Sequence, residues 1–247
     1  MAQGGKHLLL GDQVHEYRAG QCLVVTAVLP VTGHYLEPSP SLALGLVLRP
    51  AAIAALLLEN GLRGAGAHPA ISTGEAGPDL LDAVTRLLRL LDHPDDVPVL
   101  APLIEREILW RLLTGPHGGV VRQIGLPGSG LSHVSRAIAW IREHYAEPLR
   151  IADLAGLTGL SPSAFHQHFR TVTAMSPLQY QKRIRLQEAR SLLVTHPGDV
   201  AGVGHVVGYD SPSQFTREYR RLFGAPPGQD AARLRSDPAV AVLQQLP

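Results

Sequence analysis

Two short stretches of this chain carry side chains able to read the edges of bases. Ser163, His166, Gln167 and Arg170 follow Ser161-Pro162, and Ser213, Thr216, Arg217 and Arg220 follow Ser211-Pro212. Between them fall Phe165, Phe169 and Val172 in one stretch and Phe215, Tyr219 and Leu222 in the other, at the spacing of one helical face. The apolar set must turn inward, which leaves the polar set outward. In a major groove an amide can bond adenine twice and a guanidinium can bond guanine twice. An outward polar face is ordinarily only solvated, and for one stretch alone that reading is as good. Two matched stretches favour recognition of double-stranded nucleic acid.

The elements that must position these faces form an internal repeat. Ser161 to Phe165 reappears fifty residues on as Ser211 to Phe215, and the offset continues through Arg170 with Arg220 and Pro177 with Pro227. Upstream the offset is 49, pairing Ala155 with Gly204 and Gly159 with Gly208. A small residue where two helices touch, a glycine four residues later to turn the chain, and a Ser-Pro start form the grammar of a helix-turn-helix. The serine hydroxyl accepts a bond from an orphan amide, and proline fits the position after it. A third Ser-Pro, at 176–177, starts a long helix between the copies, carrying Lys182, Arg183, Arg185 and Arg190. At ~1.5 Å per residue it spans roughly 27 Å, near the ~34 Å that separates successive major grooves on one face of a duplex. Its basic residues are expected on or near phosphate, and Arg170, Lys182, Arg183 and Arg220 are the expected phosphate contacts.

The first half reads differently. Residues 7–48 are short apolar runs broken by Gly, Pro and Asp, expected as strands over Leu8–Leu10, Gln21–Leu29 and Leu42–Leu48. Pro38-Ser39-Pro40 is one of the expected breaks. Helices are expected at 51–59, 79–91 and 98–113, with the Gly- and Ala-rich stretch 63–78 as loop and a break after Gly115. The last two helices carry apolar faces too broad for packing on one side only, which fits a core or a subunit interface equally. The expected domains are 1–128 for sensing and dimerisation and 131–235 for nucleic-acid binding, followed by a tail at 236–247. The fold class is α+β, with a partial β-fold and helical hairpin preceding an all-α domain of two helix-turn-helix units.

Charge follows the same division. From Leu131 on there are 13 Lys+Arg against 9 Asp+Glu, and before it 9 against 12, so the basic excess sits where a polyanion would bind. One cysteine, Cys22, allows neither an intramolecular disulfide nor a cysteine-based zinc site. The longest apolar stretch is broken by Arg49 and Pro50, so no membrane span is expected, and the cytoplasm is the default location.

The linker pattern Ser176 to Leu193, then Val-Gly-Tyr-x-Ser-x-Ser-x-Phe-x-Arg through Phe-Gly-x-x-Pro over Val207 to Pro227, resembles the AraC/XylS family of bacterial transcription regulators. Gly11-Asp12-x-x-x-x-Tyr and Leu29-Pro30-Val31-Thr32-Gly33 look like the cupin-like N-terminal domain of one branch of that family. The resemblance implies promoter DNA as partner and an N-terminal domain that senses a ligand or dimerises; no cofactor is expected, because P-loop and dinucleotide signatures are absent. RNA polymerase and a small-molecule effector are further partners it allows, and the two broad apolar helices point to a homodimer through 79–114. It places base reading on Ser163, His166 and Gln167 in the first copy and on Ser213, Gln214 and Arg217 in the second.

Departures from the family pattern matter too. Gly202 and Gly204 stand in the first helix of the second copy, each costing roughly 1 kcal/mol against Ala, so a weaker second unit is expected. The segment after Pro227 lacks the usual aromatic-Arg ending. Family members carry more strand before the position of Met1, so either a mis-assigned start or an incomplete β-fold is expected. Two rival classes remain. A dimerising or partner-binding protein with impaired DNA binding would keep the same fold. A cupin-type metal enzyme would need a His-x-His with a downstream Glu, which His7, His15, His34 and His68 do not supply.

Overall fold

The structure, a computed structural model, describes residues 1–36, 40–64, 66–196 and 198–236. The expected break at Pro38-Ser39 and the tail beyond 236 lie outside the described residues. The chain divides into two units, Met1–Ala27 with Gly33–Val134, and Val28–Thr32 with Ser135 onward.

The first unit holds strands β1 (Gly5–Leu10), β2 (Gln13–Arg18), β3 (Gln21–Val25), β4 (Thr32–Leu36) and β5 (Ile71–Glu75). β1 and β2 form an antiparallel hairpin, Gly5 opposite Arg18 and Leu10 opposite Gln13. Gly11, at φ +62, supplies the left-handed turn between them. β4 borders β1 on its other edge, and β3 pairs antiparallel with β5 in a separate two-stranded sheet.

Two strand expectations are corrected. Leu42–Leu48 forms no strand; Leu42 bridges Gln3 alone, and Leu44, Leu46 and Val47 are exposed. β1 is flanked by β2 and β4, and apart from the Gln3 bridge the apolar run pairs with no strand. Ile71–Glu75, expected as loop, is a strand because β3 offers it a free edge. Gly74 lies opposite Cys22, and a Cβ there would sit 3.2 Å from the His117 ring, so the glycine makes room for a side chain that ties the sheet down. His117 Nε2 meets Cys22 Sγ at 3.1 Å and its Nδ1 meets Ser72 Oγ at 2.8 Å.

Helices α1 (Pro50–Glu59), α2 (Pro78–Arg89), α3 (Val97–Thr114) and α4 (Gly118–Arg122) complete this unit. The last is a short turn of helix where the sequence suggested only a break, and it buries Val120 and Val121. These join Ile53, Leu56, Leu57, Ala83, Ile104, Ile108, Leu112 and Leu113 in one core. Arg86 to Glu107 and Arg111 to Asp79 link α2 and α3 at their rim. Beside that core Leu91, in the turn after α2, is 77% exposed, and Val99 and Leu103 on α3 are 66% and 61% exposed. Among the described residues no helix is long and apolar enough to cross a membrane.

The second unit is helical. α5 (Gly130–Glu143) leads into α6 (Ile151–Thr158) and α7 (Pro162–Thr173), then α8 (Pro177–Thr195), α9 (Val200–Val206), α10 (Pro212–Phe223) and α11 (Pro227–Ser236). Tyr180 Oη on α8 donates to the Val28 carbonyl at 2.7 Å, and Gln187 Nε2 donates to that of Val31 at 3.1 Å. The long α8 begins with a capping box, in which the Ser176 and Gln179 side chains each bond the other's backbone amide.

Candidate nucleic-acid interface

Each helix pair is built by the same local rules. α6 ends at Gly159, φ +72, and the chain turns into Ser161, whose Oγ accepts from the Ala164 amide at 3.3 Å. In the second copy Gly208, φ +89, makes the turn, and Ser211 Oγ accepts from the Gln214 amide at 3.3 Å. Phe165, Phe169 and Val172 are buried beneath α7, as are Phe215 and Tyr219 beneath α10. The opposite faces are open. Ser163, His166, Gln167 and Arg170 are exposed on α7, and Ser213, Arg217 and Arg220 on α10, with Gln214 half-exposed. All six expected base-reading residues thus lie on α7 or α10, three on each.

The glycines expected to weaken the second copy have structural uses. A Cβ at Gly204 would sit 3.0 Å from the Phe215 ring, so its absence lets α9 approach α10 closely. Gly202 donates its amide to Asp199 Oδ1 at 2.8 Å, and a Cβ there would overlap that cap.

The basic character of α8 is largely consumed inside the fold. Arg190 is buried and forks onto Asp230 at 2.7 and 3.0 Å, with its guanidinium 4.4 Å from the Phe223 ring. Arg185 caps the carbonyls of Tyr145, Ala146, Glu147 and Gly208. Both were expected to add to the surface field; Arg190 instead satisfies a buried carboxylate, and Arg185 satisfies carbonyls of the neighbouring turns. Lys182 Nζ lies 2.8 Å from Glu218 Oε1, and Arg183 is half-buried.

Glu218 is the residue that sequence reasoning missed. It is 8% exposed, and its Oε1 accepts from Lys182 Nζ and from Gln214 Nε2 at 3.1 Å while its Oε2 accepts from Tyr209 Oη at 3.0 Å. Burial pushes its carboxyl up, but the hydrogen bonds from Lys182, Gln214 and Tyr209 outweigh it and hold the group below the ordinary value. A helical count places 218 on the inward side, and an acid there is a signal only when its donors can be located.

A family model described as the AraC-type transcriptional regulator N-terminus matches residues 1–120, and one described as a helix-turn-helix domain matches residues 154–233. The chain belongs to the AraC/XylS family. The HTH-type transcriptional regulator ExsA of Pseudomonas aeruginosa is 28% identical over 174 residues, covering 68% of this chain and 62% of that protein. An uncharacterized HTH-type transcriptional regulator of Bacillus subtilis, YobQ, is 32% identical over 106 residues, 43% of this chain and 44% of the relative. The matches therefore span less than two thirds of either relative. ToxT of Vibrio cholerae, solved with a bound naphthalenyl butenoic acid, superposes with a TM-score of 0.53 over 94% of this AraC/XylS chain and 88% of its own at 10% identity, a likeness of fold.

Proposed function

We propose that this AraC/XylS-family chain is a sequence-specific transcription regulator that enters successive major grooves with α7 and α10. One observation carries the reading. Two recognition helices, capped alike and anchored alike on buried aromatics, expose amide and guanidinium groups on their outer faces. Gln167 from α7, with Gln214 and Arg217 from α10, read base edges; Ser163, His166 and Ser213 complete the two surfaces. Arg170 and Arg220, exposed and with no side-chain partner among the described residues, take phosphate. Promoter DNA is the partner, and a second copy of the chain is the other. The apolar surface of Leu91, Val99 and Leu103 on the α2–α3 hairpin supports a dimer through residues 79–114.

Selection of a random duplex library on the purified protein, with salt titration of the winning sequence, tests the first claim. Two short sub-sites about one helical turn apart are expected. Salt-sensitive binding with no sequence preference would overturn it. Light scattering tests the second; a monomer at micromolar concentration would overturn the dimer.

A further inference from the structure

We propose that Glu218 is a positioning residue for DNA specificity. It holds the Gln214 amide in one orientation, so that Gln214 reads adenine, and it withholds the Lys182 ammonium from phosphate. The inference rests on the reading of α10 as a DNA-recognition helix.

Glu218 is ringed by three donors from separate places: Lys182 on α8, Tyr209 in the turn before α10, and Gln214 one helical turn ahead of it. Such a ring suits the ionised form, which accepts hydrogen bonds and donates none. A glutamine amide beside an ionised carboxylate must therefore face it with its NH2. The orientation of the amide, ordinarily ambiguous, is chosen here by chemistry.

One N–H of Gln214 is then spent on Glu218, and the carbonyl oxygen and second N–H remain for an outside partner. That pair complements adenine, whose N6 donates and whose N7 accepts in the major groove. Guanine presents two acceptors at the same edge, which would set its O6 against the carbonyl of Gln214. A free glutamine could rotate its amide to meet guanine; one held by Glu218 cannot without breaking that bond.

The same carboxylate neutralises Lys182, a half-exposed ammonium on the helix that joins the two copies. An unpaired lysine there would add a phosphate contact blind to sequence. Glu218 thus favours discrimination over bulk affinity by two routes. The first copy has no equivalent. Fifty residues earlier stand Ala164 in place of Gln214, His168 in place of Glu218, and His168 Nδ1 is buried without a hydrogen-bond partner.

The test compares the full-length protein with Glu218→Gln, Gln214→Ala and the double variant Glu218→Gln with Lys182→Met. Selection of random duplex DNA is combined with salt titration on a sequence of scrambled composition. Gln214→Ala is expected to lose preference at a single base pair, and that pair is adenine-containing in the wild-type site. Glu218→Gln, whose new amide can donate or accept, is expected to lower the adenine-over-guanine preference at that pair by about tenfold. Its binding to scrambled DNA is undiminished, and the logarithmic salt slope steepens by about one. Adding Lys182→Met returns the slope and leaves the preference relaxed.

A residue needed only for folding would lower specific and scrambled binding together, so lost preference with undiminished scrambled binding marks a positioning role. Unchanged preference in Glu218→Gln would overturn the proposal, as would guanine at the pair identified by Gln214→Ala. The second result stands even if Glu218→Gln unfolds. Absence of any base preference in the wild type would overturn the reading of α10 itself, a failure distinct from the other two.

Discussion

The two helix-turn-helix copies share a scaffold and fill it differently. In the first, Phe169 packs edge-on against Tyr180 with ring centroids 5.6 Å apart, and Phe165 lies 5.5 Å from Phe169. Fifty residues later the same two places hold Tyr219 and Asp230. There Tyr219 Oη donates to Asp230 Oδ2 at 3.0 Å, and Asp230 takes the fork of Arg190 and a bond from Arg233 at 2.9 Å. An aromatic pair has become a buried ionic network. An apolar contact holds by area and shape and tolerates small shifts, whereas a network holds only while every member is present. The first copy is therefore expected to degrade gradually under mutation and the second abruptly.

The largest expected effect breaks that network. Asp230 is fully buried, and Asp230→Ala leaves the Arg190 guanidinium and the Tyr219 hydroxyl without their acceptor. A loss of about 3–5 kcal/mol is expected, as for other buried pairs cut on one side, read as the fall in denaturant midpoint. Replacing both partners, Arg190→Met with Asp230→Leu, is expected to recover most of the loss because no buried charge remains. If the double variant is as unstable as the single one, the network is not what distinguishes the second copy.

This difference also marks how far the sequence could be read. The repeat, its Ser-Pro caps, the turn glycines and the aromatic anchors were all legible, because local geometry forces them: a left-handed turn selects Gly159 and Gly208, and an orphan amide selects Ser161 and Ser211. What a basic residue touches was not legible. Arg185 and Arg190 read as surface charge, yet their partners lie 23 to 40 residues away in sequence, at distances only the packed helices set. Gly204 read as a weakness for the same reason, since the Phe215 ring that needs the space lies on the next helix, whereas the Asp199 cap that needs Gly202 is local. In the first half, strand patterning was ambiguous because pairing partners decide it. Leu42–Leu48 has the apolar character yet pairs only through the Leu42–Gln3 bridge; Ile71–Glu75 has little and pairs with β3 along its length.

The next effect sharpens the comparison at the DNA-facing surfaces. Arg217→Ala on α10 is expected to cost about 1–3 kcal/mol on the preferred site and to relax one base position. Arg170→Ala on α7 is expected to weaken all sequences alike and to lower the salt slope by about one. Titrations of cognate and scrambled duplexes decide between them. Equal losses on every sequence for both variants would remove the distinction between base-reading and phosphate-binding arginines.

A smaller effect follows from Glu218. Its pKa in the folded chain lies below the ordinary carboxylate value of 4.5. The unfolded chain therefore binds its proton first as pH falls, and stability present above pH 4.5 is lost as the pH passes down through the folded value. The melting temperature of Glu218→Gln should fall less steeply than that of the wild type below pH 4.5. Parallel slopes would mean that other carboxylates govern the acid limb.

The smallest effect concerns how each recognition helix stops. α10 ends at Gly224, φ +78, and α7 ends at Ala174, φ +59, the one non-glycine residue with positive φ among those described. Both use the left-handed cap, in which the next amide returns to a carbonyl four residues back: Ala174 N–H to Arg170 O at 2.9 Å and Gly224 N–H to Arg220 O at 2.8 Å. The glycine adopts this conformation freely, while the alanine sets its Cβ against the neighbouring carbonyl. Ala174→Gly removes that conflict but adds freedom to the unfolded chain. The relief should exceed the added entropy, leaving the variant more stable by about 0.5–1 kcal/mol. Gly224→Ala should move stability the other way by a similar amount. Thermal melts of the two single variants and of the exchanged pair test the symmetry: if the caps are equivalent, the exchange sums to nearly zero, and a net loss would show that the second copy depends on its cap more than the first.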